Sequence, residues 1–351
     1  MRLYTIFVLL ILLVFSATAY ADSHAMNNGN GYGGLVVENL NSKINWGDGF
    51  ISASSQVLPM QDTIDPVRTR ALAVRQGGVE SRKLLLDSVL ALPLDESNTV
   101  STFFKNDLKV LNTLRGFIQN SFLTSEQIES GAVQVTASLS FRDGLSSIII
   151  SPTIPFLSGI APTLSGKRSE GAAVQEPVEG EVVADREIAV HSGVIIDARG
   201  FELNPVLLPL IYDGKGVGVY GVFAVSRDSV LKNGMVAYMV NESSENVRSR
   251  VGNFPLKVKP VNTHGPMRSN LILSLEDAAR VRAVLKRKSV IQNCAVVILV
   301  DGPASAQAGQ DEVVQTVAGA AAEQEQNSAS DLADGIHEAP LDDNAAVPAQ
   351  Q

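Results

Sequence analysis

Cysteine is almost missing from this chain: Cys294 stands alone among 351 residues, beside four histidines, one tryptophan and an aromatic content of only 5%. Each scarcity closes off a class of function. A lone cysteine cannot form an intrachain disulfide, and it cannot supply the several thiolates of a structural zinc site. Cys294 opens the apolar run to Val300, where it is expected to serve as a small buried hydrophobe in a central strand. The histidines (His24, His191, His264 and His337) are spread through termini and loops, with no carboxylate or thiol at metal-ligand spacing. Few aromatic rings leave little on which to stack nucleobases, and no basic stripe marks a nucleic-acid footprint. No cofactor, metal or nucleic-acid partner is expected.

Positive charge is also missing from one whole region. Residues 302–351 carry nine carboxylates and no Lys or Arg, so the net charge of −9 belongs to this end and residues 1–301 balance 28 acids against 28 bases. With little to bury, 302–351 is expected to be an acidic disordered tail. After the first fifteen residues no long apolar run recurs. That first run follows Arg2, and a small-residue site at Ala19 and Ala21 precedes Asp22. This is the form of a secretory signal peptide over residues 1–21, and the run is short of the ~20 residues a membrane span needs. No cysteine stands near residue 22, so a lipid anchor is not expected.

What is present reads as an α+β protein of two domains. Residues 22–46 are glycine- and asparagine-rich and read as flexible. Residues 47–145 suggest strand–helix–helix–strand–strand, an antiparallel sheet with both helices on one face. Asp65 and Pro66 suit a helix start, and Val67, Ala71, Val74, Gly78, Leu85 and Val89 form its expected buried stripe. Gly77 and Gly78 should weaken its middle by about 1 kcal/mol each relative to alanine. A second helix carries Val100, Phe103, Phe104, Leu108, Leu111 and Leu114. Strands are then expected over 116–127 and 132–142. In the latter, Val133, Val135, Ala137, Leu139 and Phe141 alternate with Gln134, Thr136, Ser138, Ser140 and Arg142, so one face meets the helices and the other is open to water or a partner.

The strand ending near Val57, the Ala/Arg-rich entry over 67–75, the leucines 84–86, and strand openings at Gly116 and Gly131 together resemble the family of small outer-membrane antigenic lipoproteins, which includes the amino-terminal module of the flagellar assembly protein FlgT. The resemblance covers residues ~47–145. It implies an envelope-associated, non-catalytic module, tied in some members to the outer membrane or to flagellar rings. The chain departs from the lipoprotein members in lacking the lipid-bearing cysteine.

Residues 146–163 form a strongly apolar arm that Pro152 and Pro155 keep from being a regular helix. Two placements are open: packed over its own domain, or docked on a neighbour through Ile148, Ile149, Ile150, Ile154 and Phe156. Residues 164–191 read as a linker, and Ser165–Ser169 within it lacks the spacing of a P-loop. Residues 192–301 suggest a β-rich α+β domain with hairpins, a strand over 205–212 and one late helix begun at Ser274. Gly216, Gly218 and Gly221 spell the glycine pattern of a dinucleotide loop. The residues between and after them are strand formers, and no helix opens among them, so a hairpin turning at Asp213 and Gly214 is expected instead. Asp197 and Arg199 share one strand face near a loop and form the candidate polar pair.

These readings point to a non-catalytic secreted protein of the periplasm, associated with the outer membrane or part of a flagellar base. It would bind itself or other envelope proteins through the apolar arm or the Gln134–Thr136–Ser138 face, and peripheral membrane contact stays open. The alternative is a periplasmic ligand-binding protein or hydrolase with a cleft between its domains, favoured if Asp197 and Arg199 gather other polar groups in one pocket.

Overall fold

Strands β1 (Val36–Asn39) and β2 (Ser42–Asn45) form a hairpin at the start of the fold. The computed structural model describes residues 33–60, 65–164 and 191–302, and this hairpin corrects the flexible reading of residues 33–46. The glycines there serve close approach. A Cβ on Gly34 would lie 3.0 Å from the Cα of Gly47, and Leu35, Ile44 and Trp46 are buried beside them.

Next come β3 (Phe50–Val57), α1 (Pro66–Ala91), α2 (Val100–Phe103), α3 (Leu108–Gln119), β4 (Phe122–Gln127) and β5 (Val133–Ser140). The sheet order is β1-β2-β3-β5-β4, antiparallel throughout. Asp65 caps α1 by accepting from the amides of Val67 and Arg68 at 3.1 Å, and Pro66 occupies the first turn. The helix lies across β3 and β5 with α3 against its side. This is the expected α+β layer.

The buried stripe of α1 differs in its first half. Thr69, Ala73, Gly77 and Ser81 lead to Leu85 and Val89, whereas Val67 and Ala71 are exposed. Small residues every fourth position let the helix settle onto the sheet, and the Ser55 hydroxyl donates to the Gly77 carbonyl at 2.8 Å. Gly77 and Gly78 therefore sit inside an unbroken helix. Two further corrections concern the next segment. The second helix is split by residues 104–107, with Asp107 capping α3 through the Val110 amide at 3.0 Å. Gly116 to Ile118 close α3 and do not open a strand, because Leu114 and Ile118 continue a helical stripe into the core.

After a π-turn (Phe141–Leu145) and α4 (Ser146–Ile149), the second lobe comprises β6 (Gly193–Asp197), β7 (Ile211–Tyr212), β8 (Gly218–Tyr220), α5 (Arg227–Asn233), β9 (Ala237–Met239), α6 (Glu245–Val251), β10 (Pro255–Val258), β11 (Pro260–His264), β12 (Asn270–Leu273), α7 (Leu275–Leu285), α8 (Lys288–Gln292) and β13 (Val296–Leu299). Four strands, in the order β10-β6-β13-β9, form a wholly parallel sheet; β11-β12-β7-β8 form a mixed one. Hairpin periodicity alone did not disclose the parallel sheet, nor α6 and α8, whereas α5 opens at Ser226, where the sequence first allows a helix after the glycines. The expected strand over 205–212 shrinks to Ile211–Tyr212, because Leu207 and Leu208 instead donate backbone bonds to Pro93 and Leu94 at 3.0 and 2.8 Å.

One face of the parallel sheet (Ile195, Val297, Leu299, Ala237 and Met239) is covered by Val247 and Val251 of α6. The other face, with Val194, Ile196 and Ile298, merges with the core of the first lobe. Trp46 links the two, stacking edge-on against Phe141 at 5.7 Å and Tyr238 at 5.8 Å. The lobes thus share one core.

Candidate functional site

On the first sheet, alternation directs Phe50, Ser52, Ser54 and Gln56 of β3 away from the helices. Gln134, Thr136 and Ser138 of β5 and Phe122, Thr124 and Glu126 of β4 stand beside them in register. Cross-strand bonds tie this face together: Ser54 to Thr136 at 2.8 Å, Gln56 to Gln134 at 3.2 Å and Gln134 to Glu126 at 3.4 Å. Ser138 is buried here, directly paired with Phe122. Phe50 and Phe122 remain 43% and 55% exposed, an unusual allocation for large rings. Among the described residues, no helix or strand forms a layer over this face.

The apolar arm lies elsewhere, and its assignment as a free contact surface is corrected. Ile149 and Ile150 are buried, while Ile148, Ile154 and Phe156 are half-buried against the shared core. Arg227 donates to the carbonyls of Ile150 (2.7 and 3.0 Å) and Ser147 (2.9 Å), holding the end of α4 to the second lobe. Beyond it, the Leu157 amide bonds to the carbonyls of Val222 and Val225, and the Gly159 amide to that of Phe223. The arm docks on its own chain because its prolines leave backbone groups that the second lobe satisfies.

That docking also explains the glycine pattern. β7 and β8 form the expected antiparallel hairpin, and Asp213 accepts from the amides of Lys215 and Val217 at 2.9 Å to shape its turn. The arm crosses this hairpin: the Gly218 amide donates to the Pro162 carbonyl at 2.8 Å, and a Cβ on Gly218 would lie 2.8 Å from the Pro162 ring. The glycine makes room for a neighbouring chain segment, not for a phosphate.

Asp197 and Arg199 form a two-pronged ion pair: Nε donates to Oδ1 at 2.8 Å and a terminal nitrogen to Oδ2 at 2.6 Å. The Arg199 hydrogen bond holds the Asp197 carboxyl below its ordinary value against the opposing effect of burial, and nearby Lys259 lowers it further. The pair stands where β6 ends, beside a cleft of about 340 Å³ whose charged lining is Asp197, Glu242, Lys257, Lys259 and Asp277. Glu242 is ion-paired with Lys257 and lies 3.9 Å from Arg199. Asp277 helps to cap α7, accepting from Ser274 at 3.1 Å. Sequence reasoning found Asp197 and Arg199 but missed Glu242, Lys257 and Lys259. The alternation of Leu256 and Val258 with the two lysines was visible; nothing local marked Glu242.

At the junction between the lobes lies a cavity of about 50 Å³ among Trp46, Phe141, Ile149 and Tyr238. It is a packing gap, too small for a metabolite. Cys294 is buried, and burial pushes its thiol upward. The nearby Arg250 donates to the carbonyls of Asn233, Gly234 and Val296 at 2.6, 2.9 and 3.0 Å, and burial pushes its guanidinium down to about 10. Here the guanidinium binds the end of α5 to β13. His191 and His264 lie on separate elements, His264 edge-on to Tyr212 at 6.1 Å. No group of three or more His, Cys, Asp or Glu side chains arranged to hold a metal occurs among the described residues. No helix among them is long and apolar enough to cross a membrane. Ala19 and Ala21 lie outside the described residues, as do residues 165–190 and 303–351.

The molecule is thus an α+β protein with an antiparallel sheet in its first lobe and a parallel sheet in its second. Residues 193–302, the second lobe, match the family model described as Treponema pallidum Tp0624, second domain. The match leaves the first lobe outside it. No curated protein matches the chain.

Proposed function

We propose that this chain is a non-catalytic protein of the cell envelope that acts by binding another envelope protein across the open face of its first sheet. The observation that carries the proposal is the pair of exposed rings, Phe50 and Phe122, set among Ser, Thr and Gln side chains on the face opposite α1, with Glu126 on one edge strand and the Lys43–Glu38 pair toward the other edge. Aromatic anchors among neutral polar side chains, with charge kept to the rim, are the composition of interfaces. The nearest cation on this sheet, Lys43, is already paired with Glu38 at 2.9 Å, which favours a protein over an anionic lipid surface.

The periplasmic setting rests on the leader-like residues 1–21. Association with the outer membrane or a flagellar base rests on the resemblance of residues 47–145. The test is site-specific photocrosslinking in the native envelope from Thr136, compared with the same probe at Arg70 on the exposed side of α1. A discrete adduct from position 136 alone, lost on Phe50→Asp and Phe122→Asp with the melting temperature unchanged, supports the proposal. An adduct of twice the chain mass would make the partner a second copy. Equal labelling from both positions, or adducts indifferent to the two substitutions, would refute it.

A further inference from the structure

The charged cleft of the second lobe takes no part in binding at the open sheet face. Its position is informative in itself. Strands β6, β10 and β13 run parallel, so their carboxyl ends emerge together, and the crevice outside such ends is where open parallel sheets take ligands. Asp197 is the last residue of β6, Lys259 immediately follows β10, and Leu299 is the last residue of β13; all three line the cleft.

The lining carries both signs of charge in one small space. Carboxylates at Asp197, Glu242 and Asp277 share the lining with ammonium groups at Lys257 and Lys259; Asp277 is already engaged by Ser274 and Arg280, and the apolar residues beneath, Ile195 and Leu299, are themselves buried. Folding does not account for this concentration. Exposed ion pairs contribute only about 0–1 kcal/mol each, and the side chains of Lys257 and Arg199 are 59% and 43% exposed. Lys259 has no carboxylate within ion-pair distance among the described residues, although it lies close enough to act on Asp197.

A ligand of one sign would be drawn to half of this lining and repelled by the other half. A ligand with both signs would satisfy it, replacing the weak pair between Glu242 and Lys257 with one pair at each of its own ends. The volume of about 340 Å³ falls at the small end of ligand pockets, which run from about 300 to 1,000 Å³. That suits an amino acid or a very short peptide.

We propose that this cleft binds zwitterions, namely free α-amino acids or the two ends of short unblocked peptides. The ammonium end lies at Asp197 and Glu242, and the carboxylate end at Lys259 and Lys257. Arg199 is a positioning residue that fixes the Asp197 carboxylate through its two-pronged bond. The site is separate from the open sheet face, so either proposal can fail without the other.

The experiment titrates the secreted chain with alanine, Ala-Ala, N-acetyl-Ala-Ala and Ala-Ala amide, with acetate as an anion control. Binding is read by calorimetry and by backbone amide shifts at Asp197 and Gly200. Alanine or Ala-Ala should bind with a Kd of about 1 mM or tighter, and blocking either end should weaken binding at least tenfold. Tighter binding of alanine would identify a free amino acid as the ligand, and tighter binding of Ala-Ala a peptide. Asp197→Asn should erase the preference for a free amine, so that the acetylated form binds as well as the free dipeptide. Lys259→Gln, at an exposed position that does not endanger the fold, should erase the preference for a free carboxylate. Equal binding of blocked and free forms, acetate binding as tightly as either zwitterion, no response up to about 10 mM, or wild-type binding in both variants would each overturn the proposal.

Discussion

Alanine at position 77 should destabilise this protein, although alanine is the best helix former and Gly77 sits in the middle of α1. On propensity alone the change gains about 1 kcal/mol. Packing against the sheet opposes that gain and outweighs it. A Cβ at Gly77 would meet Cγ2 of Val135 at 2.6 Å and its Cβ at 3.0 Å. Val135 is fully buried on β5, which is flanked by β3 and β4, so it has little room to yield. Relief requires the helix to lift by roughly 1 Å, an overpacking that costs about 1–3 kcal/mol. The same lift stretches the 2.8 Å bond from Ser55 to the Gly77 carbonyl, worth about 1 kcal/mol.

The expected net loss for Gly77→Ala is therefore about 1–3 kcal/mol. At about 2–4 °C per kcal/mol for a unit of this size, the melting temperature should fall by several degrees. Two controls separate packing from propensity. Gly116→Ala, in α3 with nothing within 4 Å of the added atom, should stabilise by about 0.8 kcal/mol. Gly78→Ala meets only the terminal methyl of Leu123 at 3.0 Å and should stay within about 0.5 kcal/mol of wild type. Urea denaturation of the three variants, with Gly77→Ala repeated in a Val135→Ala background, completes the cycle. If Gly77→Ala matched or exceeded wild-type stability, or if truncating Val135 gave no relief, α1 would not be seated on the sheet through close contact at Gly77.

Two further outcomes follow from buried polar groups. Arg250→Met removes the donor for three carbonyls and should cost about 2–4 kcal/mol by denaturant titration, with Arg250→Lys recovering only part of the loss. Burial pushes the Tyr212 hydroxyl up to about 12, with Glu96 adding to the effect, and raises Tyr220 and Tyr238 as well. Absorbance at alkaline pH should therefore show these three un-ionised near pH ~10.5, where they titrate normally in guanidinium. Because the folded state holds protons that the unfolded chain releases above pH ~10, stability should fall as pH rises from that value. A titration indistinguishable from the unfolded chain would contradict their burial.

Local rules made much of the first lobe legible. The cap at Asp65, the strict alternation of β5 and the apolar helix faces report burial against nearby elements, and periodicity records that directly. They misplaced Gly116–Ile118, where strand-favouring side chains continue a helical stripe, and the first half of the α1 stripe, where the contact is made by small residues. Gly34 was read as part of a flexible segment, when its role is to let its backbone meet that of Gly47. In the second lobe, the hairpin at Asp213 and the central strand after Cys294 were legible for the same local reasons. The parallel sheet was not, because its strand pairs are separated by whole connections and leave no joint signature.

Composition and order of residues alone disclosed the leader-like start, the antiparallel layer and the hairpin in place of a phosphate loop. Tertiary structure decided where the arm goes, since only the second lobe could satisfy the backbone groups its prolines leave unpaired. It also decided that the lobe junction is filled around Trp46 and that Asp197, Glu242, Lys257 and Lys259 share a cleft. Those four charges come from three separate stretches of chain, and only the parallel register of β6 and β10, with the turn after β9, brings them within reach of one ligand.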